Sequence, residues 1–255
     1  MTMQDLTQEE RNALPEGHPW KHFGEFHFGG MDFFTAKEKT VKEYEEKERL
    51  DRIRAAKEKL ERHYLEKSGV PERYHTESLE TFKAYSDDLK KVVETVTRYA
   101  GSPSNHTLIL CGGNGMGKTH LACGIIRECG GYYLTVQRLL FMAESAMSFK
   151  ATESKIDMLD RISDAKMLIL DEVGRGMQAE RQQELVQYIL DARYSKMKPT
   201  VLVSNLEKAE LIKWLGQSVK DRLNETCVFL ELKGDSYRIR KRTTGGNDEG
   251  KGKAD

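Results

Sequence analysis

The chain has 255 residues, of which 38% are hydrophobic and 32% charged, and its formal net charge at pH 7 is zero. A neutral chain has no global basic field, so any contact with nucleic acid must come from a local patch. The four cysteines lie in apolar sequence and form no CxxC pair, which favours buried thiols over a metal site. We expect a cytoplasmic protein, because no apolar run is long enough for a membrane span and the first residues lack a signal-peptide pattern.

The first predicted element is a long charged helix over residues 35–67, preceded by a segment rich in aromatic residues. The helix contains no Pro or Gly, and its apolar residues recur at steps of three and four, which makes a seam too narrow to enter a large core. Large aromatic side chains are common anchors of protein interfaces. We therefore interpret residues 1–67 as a partner-binding region, with the alternative that the aromatics fold back on the rest of the chain. The candidate anchors are Trp20, Phe23, Phe26, Phe28, Phe33 and Phe34.

A break at Ser68–Pro71 opens a region in which apolar strands alternate with helices. Ser86 precedes two aspartates and an apolar helical pattern, so it is the predicted cap of the first helix there. Alternating strands and helices of this kind are typical of an α/β fold with a parallel sheet covered on both faces. The predicted strands span 107–111, 132–136, 167–172, 200–205 and 227–232, and the later helices span 118–129, 137–149, 154–164, 179–196, 207–215 and 217–224.

The glycine-rich stretch "GGNGMGKTH" follows the first strand and opens the next helix. Its GxxxxGKT spacing is that of a phosphate-binding P-loop, in which glycines let successive backbone N–H groups converge on phosphate oxygens. The lysine supplies a positive charge, the threonine offers a hydroxyl to Mg²⁺, and the helix N-terminus favours anions. The predicted ATP-binding residues are Gly112, Gly113, Asn114, Gly115, Met116, Gly117, Lys118, Thr119 and His120.

Two acidic residues, Asp171 and Glu172, end the third predicted strand. Asp171 is predicted to hold the Mg²⁺ shell together with Thr119, and Glu172 to polarise the water that attacks the γ-phosphate. Asn205 ends the fourth strand and offers an amide to the same water, with the alternative that it is a simple turn residue. These elements indicate an ATP hydrolase of the additional-strand class rather than a nucleotide kinase, because the sequence contains no Arg-rich lid insertion.

In order and spacing, several motifs resemble the DnaC/IstB group of AAA+ ATPases, and in particular the DnaC-type replicative helicase loaders. The similarity covers about residues 68–242 and rests on "GVPERYHTESLETF", "GGNGMGKTH", "LILDEVG", "VLVSN", "VKDRLN" and "GDSYRIRKR". The resemblance implies that Arg222 is an arginine finger for a neighbouring subunit, that Arg238 is the sensor II residue of the ATP site, and that Asn205 is sensor I. The sequence offers no obvious intramolecular partner for Arg222 at helical spacing except Glu225.

The resemblance also implies the cofactors, ATP and Mg²⁺, and a set of partners. These are a replicative DNA helicase of the hexameric DnaB type, single-stranded DNA, and further copies of the chain in an ATP-dependent helical or ring-like assembly. The two helices between the second and third strands correspond to the family's insertion, which faces single-stranded DNA. The candidate contacts there, with the alternative that they are ordinary exposed residues, are Arg138, Ser145, Ser148 and Lys150.

Taken together, the patterns divide the chain into a helicase-interaction region (1–67), an AAA+ domain (68–242) and a disordered tail (243–255). Few residues follow the last strand, so we expect neither a full helical lid domain nor a C-terminal helix-turn-helix. The leading hypothesis is an ATP-dependent loader that places the replicative helicase on single-stranded DNA. The alternatives are an IstB-like transposition helper ATPase that acts on duplex DNA with a transposase, and a nucleic-acid-stimulated ATPase without a helicase partner.

Overall fold

The computed structural model describes residues 33–104, 106–176, 178–234 and 237, and the side chains of all of these except 33–41 and 218. The strands are β1 (Thr107–Gly112), β2 (Tyr132–Thr135), β3 (Leu168–Val173), β4 (Thr200–Ser204) and β5 (Cys227–Leu232). The helices are α1 (Phe33–Lys67), α2 (Asp87–Gly101), α3 (Lys118–Cys129), α4 (Val136–Ser145), α5 (Lys155–Ser163), α6 (Ala179–Ser195), α7 (Lys208–Leu215) and α8 (Gln217–Thr226). Of the helices described, none combines the length and the apolar composition that crossing a membrane requires.

The strands form one parallel sheet with the order β2-β3-β4-β1-β5, which confirms the predicted five-stranded parallel sheet. Leu108 of β1 pairs with Val201 of β4 on one side and with Val228 of β5 on the other. β4 therefore lies between β1 and β3, as expected for the additional-strand class. Because the strands are parallel, the carboxyl ends of β1, β3 and β4 meet at one edge of the sheet, where open α/β sheets bind their ligands.

Helices cover both faces of this sheet, because successive side chains of each strand point to opposite sides. Leu108 and Leu110 of β1 pack in one core cluster with α2 and α3, whereas Ile109 packs in a second cluster with α4, α5 and α6. All three side chains are fully buried. The near-continuous apolar composition of the strands is therefore explained by burial on both faces.

Two helix starts show how local hydrogen bonds set the element boundaries. Ser86 caps α2 as predicted, and its hydroxyl accepts the Leu89 N–H at 3.3 Å. β2 ends one residue earlier than predicted, because the Thr135 hydroxyl accepts the Arg138 N–H at 3.2 Å and α4 then begins at Val136. Side-chain caps of this kind satisfy N–H groups that the helix itself leaves unpaired.

A buried arginine joins three elements on the second face of the sheet. Arg193 of α6 is 1% exposed, and its guanidinium donates to the Thr200 hydroxyl and to the carbonyls of Ser163 and Ala165 at 2.8 Å each, and also to the Pro199 carbonyl. Burial lowers the pKa of Arg193 to about 10, so the group stays charged at neutral pH. Its bonds fix the end of α6 against the end of α5 and the start of β4.

The described residues divide into two units between His63 and Tyr64, and the sequence suggested a boundary nearby, at residue 67. In the first unit, α1 carries exposed ion pairs such as Arg52–Glu48 at 3.4 Å. In the second unit, Leu65 is 1% exposed and belongs to the core cluster that contains α2 and α3. The last turn of α1 is therefore part of the second unit.

Candidate active site

The predicted P-loop lies between the end of β1 and the start of α3. Because α3 begins at Lys118, the N–H groups of its first turn have no partners within the helix. Gly112, Gly115 and Gly117 have φ angles of +125°, +78° and +91°, a region that residues with a side chain rarely adopt. Asn114 is exposed at the tip of the loop. The loop thus has the curled backbone and the helix N-terminus that phosphate binding requires.

Gly112 and Gly113 are neighbours under different constraints, which provides a matched pair of variants. A Cβ atom at Gly112 would lie 2.4 Å from the carbonyl oxygen of Leu232 in β5, whereas one at Gly113 would meet no atom within 4 Å. We expect Gly112→Ala to lower the free energy of unfolding by about 2 kcal/mol or more, through backbone strain and this clash. Gly113→Ala should change it by less than about 0.5 kcal/mol. Urea denaturation without nucleotide measures both values, and equal stabilities would contradict the close approach of Gly112 to β5.

Lys118 lies inside the loop rather than in solvent. Its ammonium group donates to the carbonyl oxygens of Gly112 and Gly113 at 2.7 Å each, and the residue is only 5% exposed. Burial lowers the pKa of Lys118, and the negative charge of Asp171 opposes that shift. The loop therefore holds a positive charge close to the helix N-terminus, which is the electrostatic arrangement that attracts phosphate.

Asp171 and Thr119, predicted separately from two motifs, are brought together by the fold. The Asp171 carboxylate is 4% exposed, and its Oδ2 accepts the Thr119 hydroxyl at 2.8 Å and the Tyr133 hydroxyl at 2.7 Å. Its Oδ1 accepts the Glu172 N–H at 2.6 Å. Burial and the adjacent Asp171 charge raise the pKa of Tyr133, which keeps this phenol protonated as a donor. Hydroxyl and carboxylate oxygens are ligands that Mg²⁺ prefers, so the residues present fit that ion.

Glu172 lies at an irregularity in β3. The pairing of β3 with β4 shifts between Leu170 and Val173, and Glu172 itself has a φ angle of +60°. Bulges re-aim side chains and are frequent next to active sites. The Glu172 carboxylate forms an ion pair with Arg175 at 3.5 Å, and the side chains of Arg175 and Glu172 are 64% and 44% exposed. The backbone thus turns Glu172 away from the buried position of its neighbour Asp171.

Asn205 directly follows β4 at the same edge of the sheet. Ser204, the last residue of that strand, pairs with Val173 of β3, and its hydroxyl donates to the Val173 carbonyl at 2.7 Å. Asn205 is half-buried. The end of β4 is therefore fixed to the end of β3, which places Asn205 directly after the strand that neighbours the one carrying Asp171 and Glu172.

Two of the predicted ATP-binding residues turn their side chains elsewhere. The His120 imidazole forms hydrogen bonds through Nε2 with the Ser78 carbonyl at 2.7 Å, and its Nδ1 lies 3.3 Å from a Glu77 carboxylate oxygen. Met116 is 3% exposed, and its sulfur accepts the Tyr85 hydroxyl at 3.7 Å. Both side chains secure the loop to the segment before α2, so any contact of theirs with phosphate would be through main-chain N–H groups.

Arg222 of α8 has an intramolecular partner, contrary to the expectation from the sequence. Its guanidinium forms an ion pair with Asp191 and lies over the Tyr194 ring, 5.7 Å from the ring centre. Asp191 and Tyr194 belong to α6, a different helix, so spacing along α8 could not reveal them. In this structure Arg222 is therefore held within its own chain.

Arg238, the predicted sensor II residue, lies outside the described residues. The residue before it, Tyr237, donates its N–H to the carbonyl oxygen of Gly115 at 3.0 Å. The chain after β5 therefore returns to the P-loop at residue 237. The predicted tail, 243–255, is also outside the described residues.

The predicted DNA contacts are all exposed, on α4 and on the turn after it. They are Arg138, Ser145, Ser148 and Lys150. Sequence reasoning missed three apolar neighbours on the same segment: Phe141 and Met147 are 57% and 65% exposed, and Phe149 is fully exposed. Of the predicted N-terminal anchors, Trp20, Phe23, Phe26 and Phe28 are outside the described residues, and only the backbone is described at Phe33 and Phe34.

Comparison with known proteins agrees with the fold and gives a family of ATP binding proteins. The model of the family described as IstB-like ATP binding protein matches residues 34–245. A similar curated protein is the replicative helicase loader DnaC of Buchnera aphidicola subsp. Schizaphis graminum, which is 28% identical over 186 residues, 68% of this chain and 74% of that protein. Another is the insertion sequence IS21 putative ATP-binding protein of Pseudomonas aeruginosa, which is 29% identical over 164 residues, 62% of each chain.

Among solved structures, the crystal structure of the DnaC helicase loader resembles this chain with a TM-score of 0.57. The sequence identity is 24%, and the match covers 64% of this chain and 100% of that one. At this identity the likeness supports the fold, which is that of an AAA+ P-loop ATPase. The predicted fold class is thereby confirmed.

Proposed function

Because the chain belongs to the family of IstB-like ATP binding proteins, we propose that it is an ATP-dependent helicase loader, which binds the replicative DNA helicase and helps to place it on single-stranded DNA. The observation that carries this proposal is that the ATP site and the long exposed helix lie in different parts of the chain. Residues 64–255 contain the AAA+ ATP site, and residues 1–63 contain most of a long, exposed helix. The relative that is itself described as a replicative helicase loader supports this assignment.

In the ATP site, Lys118 and the main-chain N–H groups of residues 113–119 hold the phosphates. Thr119 and Asp171 hold Mg²⁺, which when bound neutralises negative charge on the phosphates. Glu172 accepts a proton from the attacking water, and the Asn205 amide orients that water. The contact between Thr119 and Asp171 supports this assignment. The Thr119 hydroxyl donates its hydrogen to Asp171, so the lone pairs of its oxygen can coordinate a metal ion.

Arg222 acts in this proposal as a finger supplied by a neighbouring subunit. A guanidinium placed beside the γ-phosphate neutralises the charge that develops during hydrolysis. The position of Arg222 in the middle of the short helix α8, with a side chain about one third exposed, supports this role. To reach the γ-phosphate in another subunit, Arg222 must break its ion pair with Asp191. Assembly therefore replaces the Asp191 carboxylate by the γ-phosphate as the partner of the guanidinium.

α1 supports a partner surface outside the ATPase unit. Leu50, Ile53 and Leu60 of its apolar seam are 55%, 54% and 70% exposed. Salt bridges between residues one turn apart, such as Arg54–Glu58 at 3.2 Å, stabilise the helix without a core. A helix with a narrow apolar seam can bind by placing that seam in a groove of the partner. The partner in this proposal is the helicase.

For single-stranded DNA, the proposed surface is the segment from α4 to the turn after it. Arg138 and Lys150 supply positive charges for the DNA backbone, and Ser145 and Ser148 supply hydroxyls. Phe149, fully exposed beside Lys150, offers a ring on which a base can stack, which is a common mode of sequence-independent binding.

The test of the loader proposal is a chain that begins at Tyr64, compared with the full chain. We expect the shortened chain to keep its nucleotide affinity, because Lys118, Asp171 and Glu172 all lie in the remaining unit. It should lose capture of the replicative helicase, measured by co-elution, because the apolar seam is gone. Loss of one central anchor commonly costs about 2 kcal/mol, roughly thirtyfold in affinity. Starting at residue 68 would instead remove the buried Leu65 and confuse binding with folding.

A matched pair in the full chain controls for helix content. One variant replaces Leu50, Ile53 and Leu60 by glutamine. The other replaces Arg52 and Lys59, which lie away from the seam, also by glutamine. Only the first should weaken helicase capture. Full capture by the shortened chain would place the contact on the ATPase unit and refute the proposed role of α1.

The second candidate function is an IstB-like transposition helper. The similarity to the IS21 ATP-binding protein is the observation that favours it. Duplex DNA binding together with capture of a transposase, and no capture of the helicase, would establish this alternative. ATP-dependent duplex or single-strand binding with neither protein partner would instead indicate a nucleic-acid-stimulated ATPase.

A further inference from the structure

A tyrosine that the sequence did not single out lies at the proposed magnesium site. We propose that Tyr133 is a positioning residue, whose hydroxyl fixes the Asp171 carboxylate so that a single oxygen remains open toward the metal. The inference rests on the proposed roles of Thr119 and Asp171 in holding Mg²⁺. The property at stake is the affinity of the ATP site for Mg²⁺.

The hydrogen bonds on Asp171 define which oxygen is open. Each carboxylate oxygen accepts about two hydrogen bonds. Oδ2 already accepts two, from the hydroxyls of Thr119 at 2.8 Å and Tyr133 at 2.7 Å. Oδ1 accepts one, from the Glu172 N–H at 2.6 Å. With Tyr133 in place, the remaining capacity lies on Oδ1. Without the Tyr133 hydroxyl, both oxygens would have an open position, and two of the three hydrogen bonds that orient the carboxylate would remain.

Tyr133 is itself held firmly enough to impose this orientation. The residue is 4% exposed and lies in β2, where it pairs with Ile169 of β3. Its N–H donates to the Ser68 carbonyl at 2.7 Å on the other side of the strand. Gly69 permits this approach, since a Cβ atom there would lie 2.4 Å from the Tyr133 carbonyl oxygen. The hydroxyl is therefore presented from a strand that is bonded on both edges.

Tyr99 provides a matched comparison in the same core cluster. It is 8% exposed, and its hydroxyl donates to the His106 carbonyl at 2.8 Å. A change of either tyrosine to phenylalanine removes one hydroxyl from the interior and keeps the ring. The two changes should have comparable effects on stability. They differ in that only the Tyr133 hydroxyl ends on the carboxylate proposed to hold the metal.

The experiment titrates Mg²⁺ against the binding of a fluorescent ATP analogue to the full chain, for the wild type, Tyr133→Phe and Tyr99→Phe. Loss of a hydrogen bond that orients a metal ligand commonly costs about 10- to 100-fold in metal affinity. We expect the Mg²⁺ concentration at half-saturation to rise by about tenfold in Tyr133→Phe and to stay at the wild-type value in Tyr99→Phe. Binding of the analogue in EDTA should be the same for all three proteins.

An Asp171→Asn variant separates the inference from the proposed site. If Asp171→Asn loses the Mg²⁺ dependence while Tyr133→Phe keeps the wild-type dependence, the site stands and the positioning role of Tyr133 is overturned. If Asp171→Asn has no effect on the Mg²⁺ dependence, the proposed metal site is wrong and the inference falls with it. If Tyr133→Phe loses binding in EDTA as well, with a lower melting temperature than Tyr99→Phe, the hydroxyl is a structural bond and the inference is overturned.

Discussion

Lys118→Ala should abolish tight ATP binding while the protein stays folded. The ammonium group of Lys118 is the positive charge inside the P-loop, bound to the carbonyls of Gly112 and Gly113. Hydrogen bonds to charged groups contribute about 1.5–3 kcal/mol each. Loss of contacts to two phosphates should therefore reduce affinity by about 3 kcal/mol or more, roughly a hundredfold or more. Calorimetric titration with ATP measures this difference.

Lys118→Met is the matched control for packing, because it keeps an unbranched side chain in a site that is only 5% exposed. Both variants should bind ATP equally weakly, since both lack the charge. An affinity of Lys118→Met close to that of the wild type would mean that the side chain fills space rather than binds phosphate. Equal affinity of Lys118→Ala and wild type would refute the proposed ATP site.

Glu172→Gln should retain ATP binding and stop turnover. The amide has nearly the same shape as the carboxylate but cannot accept the proton of the attacking water. General-base contributions are about 10²- to 10⁴-fold in rate, and we expect a loss within that range. Arg175→Gln is the control, because it removes the ion pair with Glu172 but keeps the carboxylate. Phosphate release and nucleotide affinity, measured on both variants, distinguish the base from its ion-pair partner.

Mixing experiments then test whether Arg222 acts between subunits. Arg222→Ala should bind ATP nearly normally and hydrolyse it poorly. A mixture with Glu172→Gln should regain some turnover, because an intact site of one chain meets an intact finger of the other. Asp191→Asn breaks the same intramolecular ion pair and leaves the arginine in place. If Asp191→Asn has the same defect as Arg222→Ala and mixing restores nothing, Arg222 supports its own chain only.

The fold could be predicted from the sequence because the signals for it are local. Apolar strands, Ser86 before α2 and the glycine spacing before α3 each depend on neighbouring residues along the chain. The confirmed five-stranded parallel sheet follows from that alternation, whereas the order of its strands comes from the structure. The meeting of Thr119 with Asp171 was predictable for the same reason, since Thr119 lies in the first turn of the helix after β1 and Asp171 lies near the carboxyl end of β3.

The rest of the site depends on contacts between distant parts of the chain, which no local pattern encodes. Tyr133 looks like any aromatic residue of a buried strand until the pairing of β2 with β3 brings it to Asp171. Asp191 reaches Arg222 from another helix. Outside the site, Arg193 is buried in the same way through distant contacts, since its guanidinium donates to the carbonyls of Ser163 and Ala165. Once the sheet order is known, the contact of Tyr133 with Asp171 could be predicted, because these residues lie on the neighbouring strands β2 and β3.

The P-loop is attached both to β5 and to Tyr237, which follows β5 in the chain, and these attachments affect the entropy of nucleotide binding. Gly112 pairs in register with Leu232 of β5, and Gly115 accepts the N–H of Tyr237 from beyond that strand. A free glycine-rich loop would lose much backbone freedom on closing around phosphate. Here the loop is fastened at two points before any ligand arrives, so most of that loss is incurred during folding. Binding energy from the phosphates is then available for affinity instead of for ordering the loop.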